Sequence, residues 1–267
     1  MTTRGVGGWR IGVVAETRML TPSGRSILLE VPGWPGNIAG QHADVRLTAE
    51  DGYQAVRSYS LASVGVGDQL ELAVDRLPDG EVSPYLVDDL RIGDQLEVRG
   101  PLGGWFVWAP EQPGSAQPGS AQPGSAQPGS AQPSSAGVEP VQLIGGGSGI
   151  VPLIAMIRSH RAAGSRTPFR LLYSVRSPDD AFFRNELEQP GDDVSVTVFY
   201  TRRVPDAWPR PPGRATEAEL AAATIPAAQH PTVFVCGPTG FVEATARALV
   251  AQGHDPHRVK TERFGGG

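Results

Sequence analysis

The stretch Ala55-Val56-Arg57-Ser58-Tyr59-Ser60-Leu61-Ala62-Ser63 puts a cation, an aromatic face and a hydroxyl on one short extended piece of chain. Those groups suit a flavin: the cation for its phosphate, the ring to stack on the isoalloxazine, the hydroxyl to bond near its reactive nitrogen. Alone, the tetrad reads equally well as alternating polar residues on a barrel strand. Two later signals match it in order and spacing. One is a glycine turn, Gly145-Gly146-Gly147-Ser148-Gly149; the other is Val233-Phe234-Val235-Cys236-Gly237-Pro238. A turn without side chains lets backbone N–H groups and a helix N-terminus approach a pyrophosphate. The spacing is not Gly-x-Gly-x-x-Gly, because Ile150 stands where the third glycine belongs. Pro152 falls in the first turn of the following helix, where its missing donor costs little.

The elements that must position these groups change character along the chain. Arg10–Ala15, Ser26–Val31, His42–Leu47, Val56–Leu61, Gln69–Val74 and Asp94–Val98 are short, β-branched or alternating, and separated by turns such as Pro78-Asp79-Gly80. With one helical piece, Ser83–Leu90, they predict a small closed antiparallel barrel. Val141–Ile144, Phe169–Val175, Val194–Tyr200 and Thr232–Cys236 read as apolar strands. Helices are expected after the glycine turn, where Ile150, Leu153, Ile154 and Ile157 recur at helical spacing, and at Asp180–Glu188, Thr216–Ala223 and Thr239–Gln252. Strands alternating with helices imply a parallel, doubly wound sheet whose ligands sit at the strands' carboxyl ends. The glycine turn, Ser174-Val175-Arg176, Thr201-Arg202-Arg203 and Cys236-Gly237-Pro238 all fall there and argue for a dinucleotide site.

Between the two patterns, Gln112 to Ala136 repeats Gln-Pro-Gly-Ser-Ala without an apolar side chain larger than alanine and proline. Such a tract cannot build a core and reads as an expanded surface loop, tolerated because loop closure cost grows slowly with length. The division expected is a flavin-binding barrel over 1–111, a low-complexity linker over 112–137 and a nucleotide-binding domain over 138–267. The 267 residues suffice for two cores. A net charge of −5 gives no basic field for nucleic acid. No apolar run reaches a membrane span and no signal-peptide layout opens the chain, so the cytoplasm is the expected compartment. One cysteine, Cys236, excludes an intrachain disulfide and a cysteine-ligated iron–sulfur cluster. His42, His160, His230, His254 and His257 show no metal spacing and read as surface or packing residues.

With these motifs the chain resembles the ferredoxin–NADP reductase superfamily, over nearly its whole length outside Gln112–Ala136, and most of all its short bacterial members without a fused iron–sulfur domain. The resemblance implies that Arg57 meets flavin phosphate, Tyr59 stacks on the ring and Ser60, followed by Leu61, lies near the flavin N5. It implies that Gly80-Glu81-Val82-Ser83 cradles the pyrophosphate, which favours FAD, with FMN the alternative. Gly146, Gly147, Ser148, Gly149, Gly237 and Pro238 would border the nucleotide, and Cys236 would lie beside the hydride-donating nicotinamide carbon. The other reading of Cys236 is a small buried hydrophobe. Glu262-Arg263-Phe264 resembles the family's closing Glu-x-aromatic, with the glutamate balancing protons and the aromatic covering the flavin; Phe264 packed in a domain interface is the alternative, and Gly265-Gly266-Gly267 follow it. Ser174, Arg176, Arg184 and Arg202 have the chemistry of a 2′-phosphate site, favouring NADPH over NADH, with Asp179 and Asp180 as contrary evidence. The implied activity is hydride transfer from NADPH to FAD and passage of electrons to a separate ferredoxin, oxygenase component, haem protein or small acceptor. A reductase that releases reduced flavin and a non-catalytic nucleotide-responsive subunit are the other readings.

Overall fold

Residues 8–65, 67–110, 139–188 and 194–264 are described by the structure, a computed structural model. The Gln112–Ala136 tract and Gly265–Gly267 lie outside them. Six strands come first: β1 (Arg10–Thr21), β2 (Gly24–Glu30), β3 (His42–Thr48), β4 (Gln54–Ser60), β5 (Gln69–Asp75) and β6 (Gln95–Leu102). All their pairings are antiparallel, in the order β4-β3-β6-β1-β2-β5. The two edges of that sheet meet where Leu61 bridges Leu72 and the Ala62 N–H donates to Glu71 O at 2.8 Å. That contact curls the sheet into a barrel, and Ile27, Leu29, Val45, Leu70, Leu72 and Val98, all within 0% exposure, fill it.

The second half is a parallel sheet of β7 (Val141–Gly146), β8 (Phe169–Val175), β9 (Val194–Tyr200), β10 (Thr232–Pro238) and β11 (Val259–Phe264), in the order β11-β10-β7-β8-β9. The order reverses between β7 and β10, so the crevice at their carboxyl ends is the topological switch point, where open α/β sheets bind ligands. Helix α1 (Ile150–Ala162) follows β7; α2 (Arg184–Glu188), α3 (Glu217–Ala223) and α4 (Thr239–Ala251) complete the set. Helix α1 is apolar nearly all round because it is covered on both sides: Ile150, Leu153, Ile154 and Ile157 share one core with the sheet and with Ala39, Ala62, Ala73 and Phe106 of the barrel. Burying each of those four side chains is worth about 1.5–3 kcal/mol. They therefore fasten one half to the other as well as packing their own. No helix among the described residues is long and apolar enough to cross a membrane.

Four expectations change in detail. The first strand runs on to Thr21, and the segment read as Ser83–Leu90 forms a single π-helical turn, Tyr85–Asp89. The helix expected from Asp180 begins only at Arg184, after a short turn at Pro178–Asp180. Ala181, Phe182 and Phe183 break it: all three are buried, Phe183 takes a left-handed φ of 54°, and the Phe182 N–H donates to the Tyr173 hydroxyl. Strand β11 was not expected. Lys260, Glu262 and Arg263 interrupt its apolar pattern, as an edge strand allows.

Candidate functional site

Local packing explains why the glycine turn is built of glycine. Gly145 and Gly146 finish β7, and Gly147–Gly149 turn directly into α1. A Cβ on Gly149 would lie 2.3 Å from the carbonyl oxygen of Cys236, so α1 starts in contact with the backbone of β10. A Cβ on Gly146 would lie 2.6 Å from the Phe241 ring. Gly147 adopts a φ of 55°, which opens the turn that Ser148 completes. The result is a side-chain-free floor at the switch point, with Cys236 paired to Gly145 on one side and Ser174 paired to Gly146 on the other.

A sequence of neighbours leads from this floor to the barrel. Cys236 is in register with Glu262 of β11, and Pro238 with Phe264. Glu262 Oε1 lies 3.8 Å from Nδ1 of His42 on β3, and His42 is in register with Ser60 on β4. Ser60, His42, Glu262, Cys236 and Gly149 thus follow one another across the junction of the two halves. Tyr59 and Ser60 are half-buried there. Phe264 is 38% exposed, so it is not packed away.

Burial governs the titration of this corner. Desolvation raises Glu262 from the ordinary 4.5 to about 7. Its Oε2 is buried without a hydrogen-bond partner among the described residues. Burial, and then the neighbouring Glu262 charge, push the Cys236 thiol well up, so the thiol stays protonated. Burial also lowers His42, against the opposing pull of Asp44, and raises the Tyr59 phenol. Every group here favours its neutral form, which suits a site that a ligand must dry out further.

The remaining expected residues are placed as follows. Arg57 is exposed and ion-paired with Glu81, whose other oxygen accepts from the Tyr53 hydroxyl at 2.8 Å. Gly80 turns the chain; Val82 is fully buried, leaving backbone alone for any ligand, and the Ser83 hydroxyl accepts from the Leu77 N–H at 3.0 Å. Leu61 is fully buried at the barrel seam. On the opposite side of the switch point, the Arg202 N–H donates to Arg176 O at 2.9 Å, so these two exposed residues share the rim at the tips of β8 and β9. Arg184 is held by Glu188 at 2.5 Å. Asp179 is paired with Arg203, and Asp180 accepts from the Ser177 hydroxyl at 2.5 Å.

Two side chains escaped the sequence reading. His42, read there as an ordinary surface or packing histidine, faces Glu262 across the domain junction; the Gly-Gln-His start of β3 gives no local sign of this. Asp75, at the end of β5, is the second: burial raises it, and a bond from the Ser23 hydroxyl and the charge of Arg176 oppose that rise. Register with a distant strand is the signal that would have found either.

The residues present fit a flavin and a pyridine nucleotide. The floor is one that a Cβ would fill, a buried carboxylate oxygen at the corner lacks a partner, and a half-buried tyrosine lies beside a cation whose present partner is an exposed carboxylate. Comparison with known proteins agrees. An oxidoreductase FAD-binding domain matches residues 26–107 and an oxidoreductase NAD-binding domain matches 143–247. The chain belongs to the ferredoxin–NADP reductase superfamily, as a flavoprotein oxidoreductase with an antiparallel flavin-binding barrel and a parallel nucleotide-binding sheet.

Among curated relatives, it is 26% identical over 219 residues to the reductase component of propane 2-monooxygenase from Mycolicibacterium smegmatis, covering 79% of this chain and 54% of that one. It is 27% identical over 221 residues to the glycine betaine monooxygenase reductase subunit of Chromohalobacter salexigens, covering 80% and 53%. The chain thus spans about half the length of these relatives. In fold it is similar to the FAD/NAD-binding domain of nitric oxide dioxygenase from Vibrio cholerae, with a TM-score of 0.77, 24% identity, and coverage of 96% of this chain and 99% of that one.

Proposed function

We propose that the chain takes hydride from NADPH onto bound FAD and passes the electrons to a separate acceptor such as a ferredoxin, an oxygenase component or a haem protein. The observation that carries this reading is the row Ser60–His42–Glu262–Cys236 reaching the glycine floor at the switch point, which brings the expected flavin edge and nicotinamide pocket to one corner. The reading divides the chain into a flavin-binding part over 1–111, the Gln-Pro-Gly-Ser-Ala tract over 112–137 and a nucleotide-binding part over 138–267.

FAD, when bound, accepts a hydride and releases its electrons singly. Arg57, Tyr59, Ser60 and the Gly80–Ser83 backbone would hold it. Gly146–Gly149 and Gly237–Pro238 would border the nucleotide pyrophosphate and nicotinamide, while Phe264 would yield its place to the incoming nicotinamide. Cys236, kept as a thiol, would pack against the nicotinamide without adding charge to it. Arg176 and Arg202 on one rim favour a 2′-phosphate. The two acids that could have bound ribose hydroxyls already have partners, Asp179 in Arg203 and Asp180 in Ser177, which supports NADPH over NADH. The single cysteine leaves the electrons to exit towards a group outside these 267 residues. That the relatives are reductase components of monooxygenases supports a partner of that kind for this chain.

Anaerobic titration of the purified yellow protein with NADPH, and separately NADH, tests this. Bleaching of the flavin bands, faster with NADPH, is expected; a flavin that neither nucleotide bleaches would refute it.

A further inference from the structure

We infer that Glu81 is a built-in competitor for the flavin phosphate at Arg57, and that this contact sets how tightly a phosphate-bearing flavin is kept. The inference rests on the assignment of Arg57 to that phosphate in the reading above. The donors of Arg57 are already engaged. One terminal nitrogen of its guanidinium donates to the Val56 carbonyl at 2.8 Å, and the other is ion-paired with Glu81. Glu81 is held from a second side as well: Oε1 accepts from the Tyr53 hydroxyl at 2.8 Å, while Oε2 faces Arg57. Tyr53, just before β4, and Arg57 within it are thus tied to the Gly80-Glu81-Val82-Ser83 turn through one carboxylate.

Local structure fixes where that carboxylate goes. The Gly80 N–H donates to Leu77 O at 2.9 Å and the Leu77 N–H to the Ser83 hydroxyl oxygen at 3.0 Å, so the turn is closed on itself. A Cβ on Gly80 would lie 2.9 Å from that hydroxyl oxygen, which keeps the turn tight. Val82 is fully buried in the barrel core and pins the turn from inside. Glu81, its neighbour, is left outward, on the side where Arg57 and Tyr53 lie.

Electrostatics makes the carboxylate a rival of phosphate. The hydrogen bond from Tyr53, assisted by the charge of Arg57, holds Glu81 below the ordinary carboxylate range, so it stays ionised near neutral pH. Carboxylate and phosphate oxygens use the same planar N–H donors of a guanidinium. An ionised Glu81 therefore takes a donor that the phosphate needs. Once displaced, it remains as a like charge on the turn whose backbone would hold the pyrophosphate. The Arg57 and Glu81 side chains are 51% and 47% exposed, and an ion pair so open to water is weak enough to be exchanged. The competition thus lowers affinity by a modest factor and leaves binding possible. It also selects by phosphate: FAD and FMN must displace Glu81, whereas riboflavin, with the same ring system and no phosphate, need not.

Fluorescence titration of the full-length apoprotein with FAD, FMN and riboflavin tests this without reference to turnover, in wild type, Glu81→Gln, Arg57→Ala and the double variant. Glu81→Gln should tighten FAD and FMN by about 3- to 10-fold and leave riboflavin unchanged. In the Arg57→Ala background the same substitution should gain less, because the contested donors are gone. Should Glu81→Gln not fold, Glu81→Ser carries the same test. Unchanged or weaker FAD binding in Glu81→Gln, alongside weakened binding in Arg57→Ala, overturns the inference alone. Equal tightening of riboflavin also overturns it, by placing the effect away from the phosphate, as does an undiminished gain in the Arg57→Ala background. FAD affinity that Arg57→Ala leaves unmoved would overturn the assignment of Arg57 to the phosphate, and the inference with it.

Discussion

Replacing Glu262 by glutamine should make stability less sensitive to alkali, and the size of the effect can be worked from the structure. Glu262 is raised from 4.5 to about 7 because three-quarters of its side chain is out of water and Oε2 has no partner among the described residues. A folded-state pKa above the unfolded one means that the native protein holds its proton more tightly. The associated stability is fully present below about pH 4.5 and is lost as pH rises through 7. The full shift corresponds to about 3 kcal/mol, reduced to about 2 kcal/mol by the quarter of the side chain that solvent screens. Glutamine is neutral throughout and nearly isosteric. The difference in unfolding free energy between the variant and wild type should be near zero at about pH 4 and below, and about 0.5 kcal/mol at pH 5. By pH 8.5 it should favour the variant by about 2 kcal/mol, a shift of several degrees in Tm for a chain of this size. Urea unfolding at several pH values, with both proteins at equal flavin occupancy, reads this directly. A difference that does not change between pH 5 and 8.5 would refute the claim that Glu262 is buried as an acid.

Arg158→Met should destabilise by about 3 kcal/mol in urea unfolding, because it strands Glu71 of β5 and Glu186 of α2, both 2.5 Å from the guanidinium that joins them. Unchanged stability would show that the bridge between the halves carries little. Gly149→Ala should cost about 1–3 kcal/mol and weaken nucleotide binding, since its Cβ would overlap the Cys236 carbonyl at 2.3 Å; a variant of wild-type stability and affinity would contradict the close approach. Arg57→Ala should weaken flavin affinity by about 10- to 100-fold, as for loss of a charge-assisted contact, measured by fluorescence titration of apoprotein, and unchanged affinity would remove Arg57 from the phosphate site. Arg176→Ala should lower kcat/KM for NADPH far more than for NADH; equal losses would leave it a structural role.

Barrel and parallel sheet were legible because each carries a different period. Strands such as His42–Thr48 and Gln69–Asp75 alternate or cluster β-branched residues between strong turns, whereas Ile150–Ile157 repeats at helical spacing directly after glycines. The failures share a cause. Ala181-Phe182-Phe183 looks helical locally, but three consecutive apolar side chains cannot all point one way from a helix, and burying all of them broke it. The charges of β11 obscured a strand whose order comes from pairing with β10, not from its own pattern.

The same distinction separates the parts of the site that a sequence can show from those it cannot. Arg57, Tyr59 and Ser60 are adjacent in the chain, as are Cys236, Gly237 and Pro238, so their spacing carries meaning by itself. His42 and Glu262 are 220 positions apart, and nothing near either one announces the other. Their meeting requires the antiparallel pairing of β3 with β4, the parallel pairing of β10 with β11, and the packing of α1 against the barrel, all at once. A slip of one residue in β11 would turn Glu262 to the other face of the sheet and leave His42 facing Thr261 or Arg263. An acid–base pair built across such a junction therefore reports on the docking of the two halves. Its titration should be lost along with that docking in Arg158→Met if the bridge to Glu71 is what holds the halves in register, and kept if the apolar face of α1 suffices.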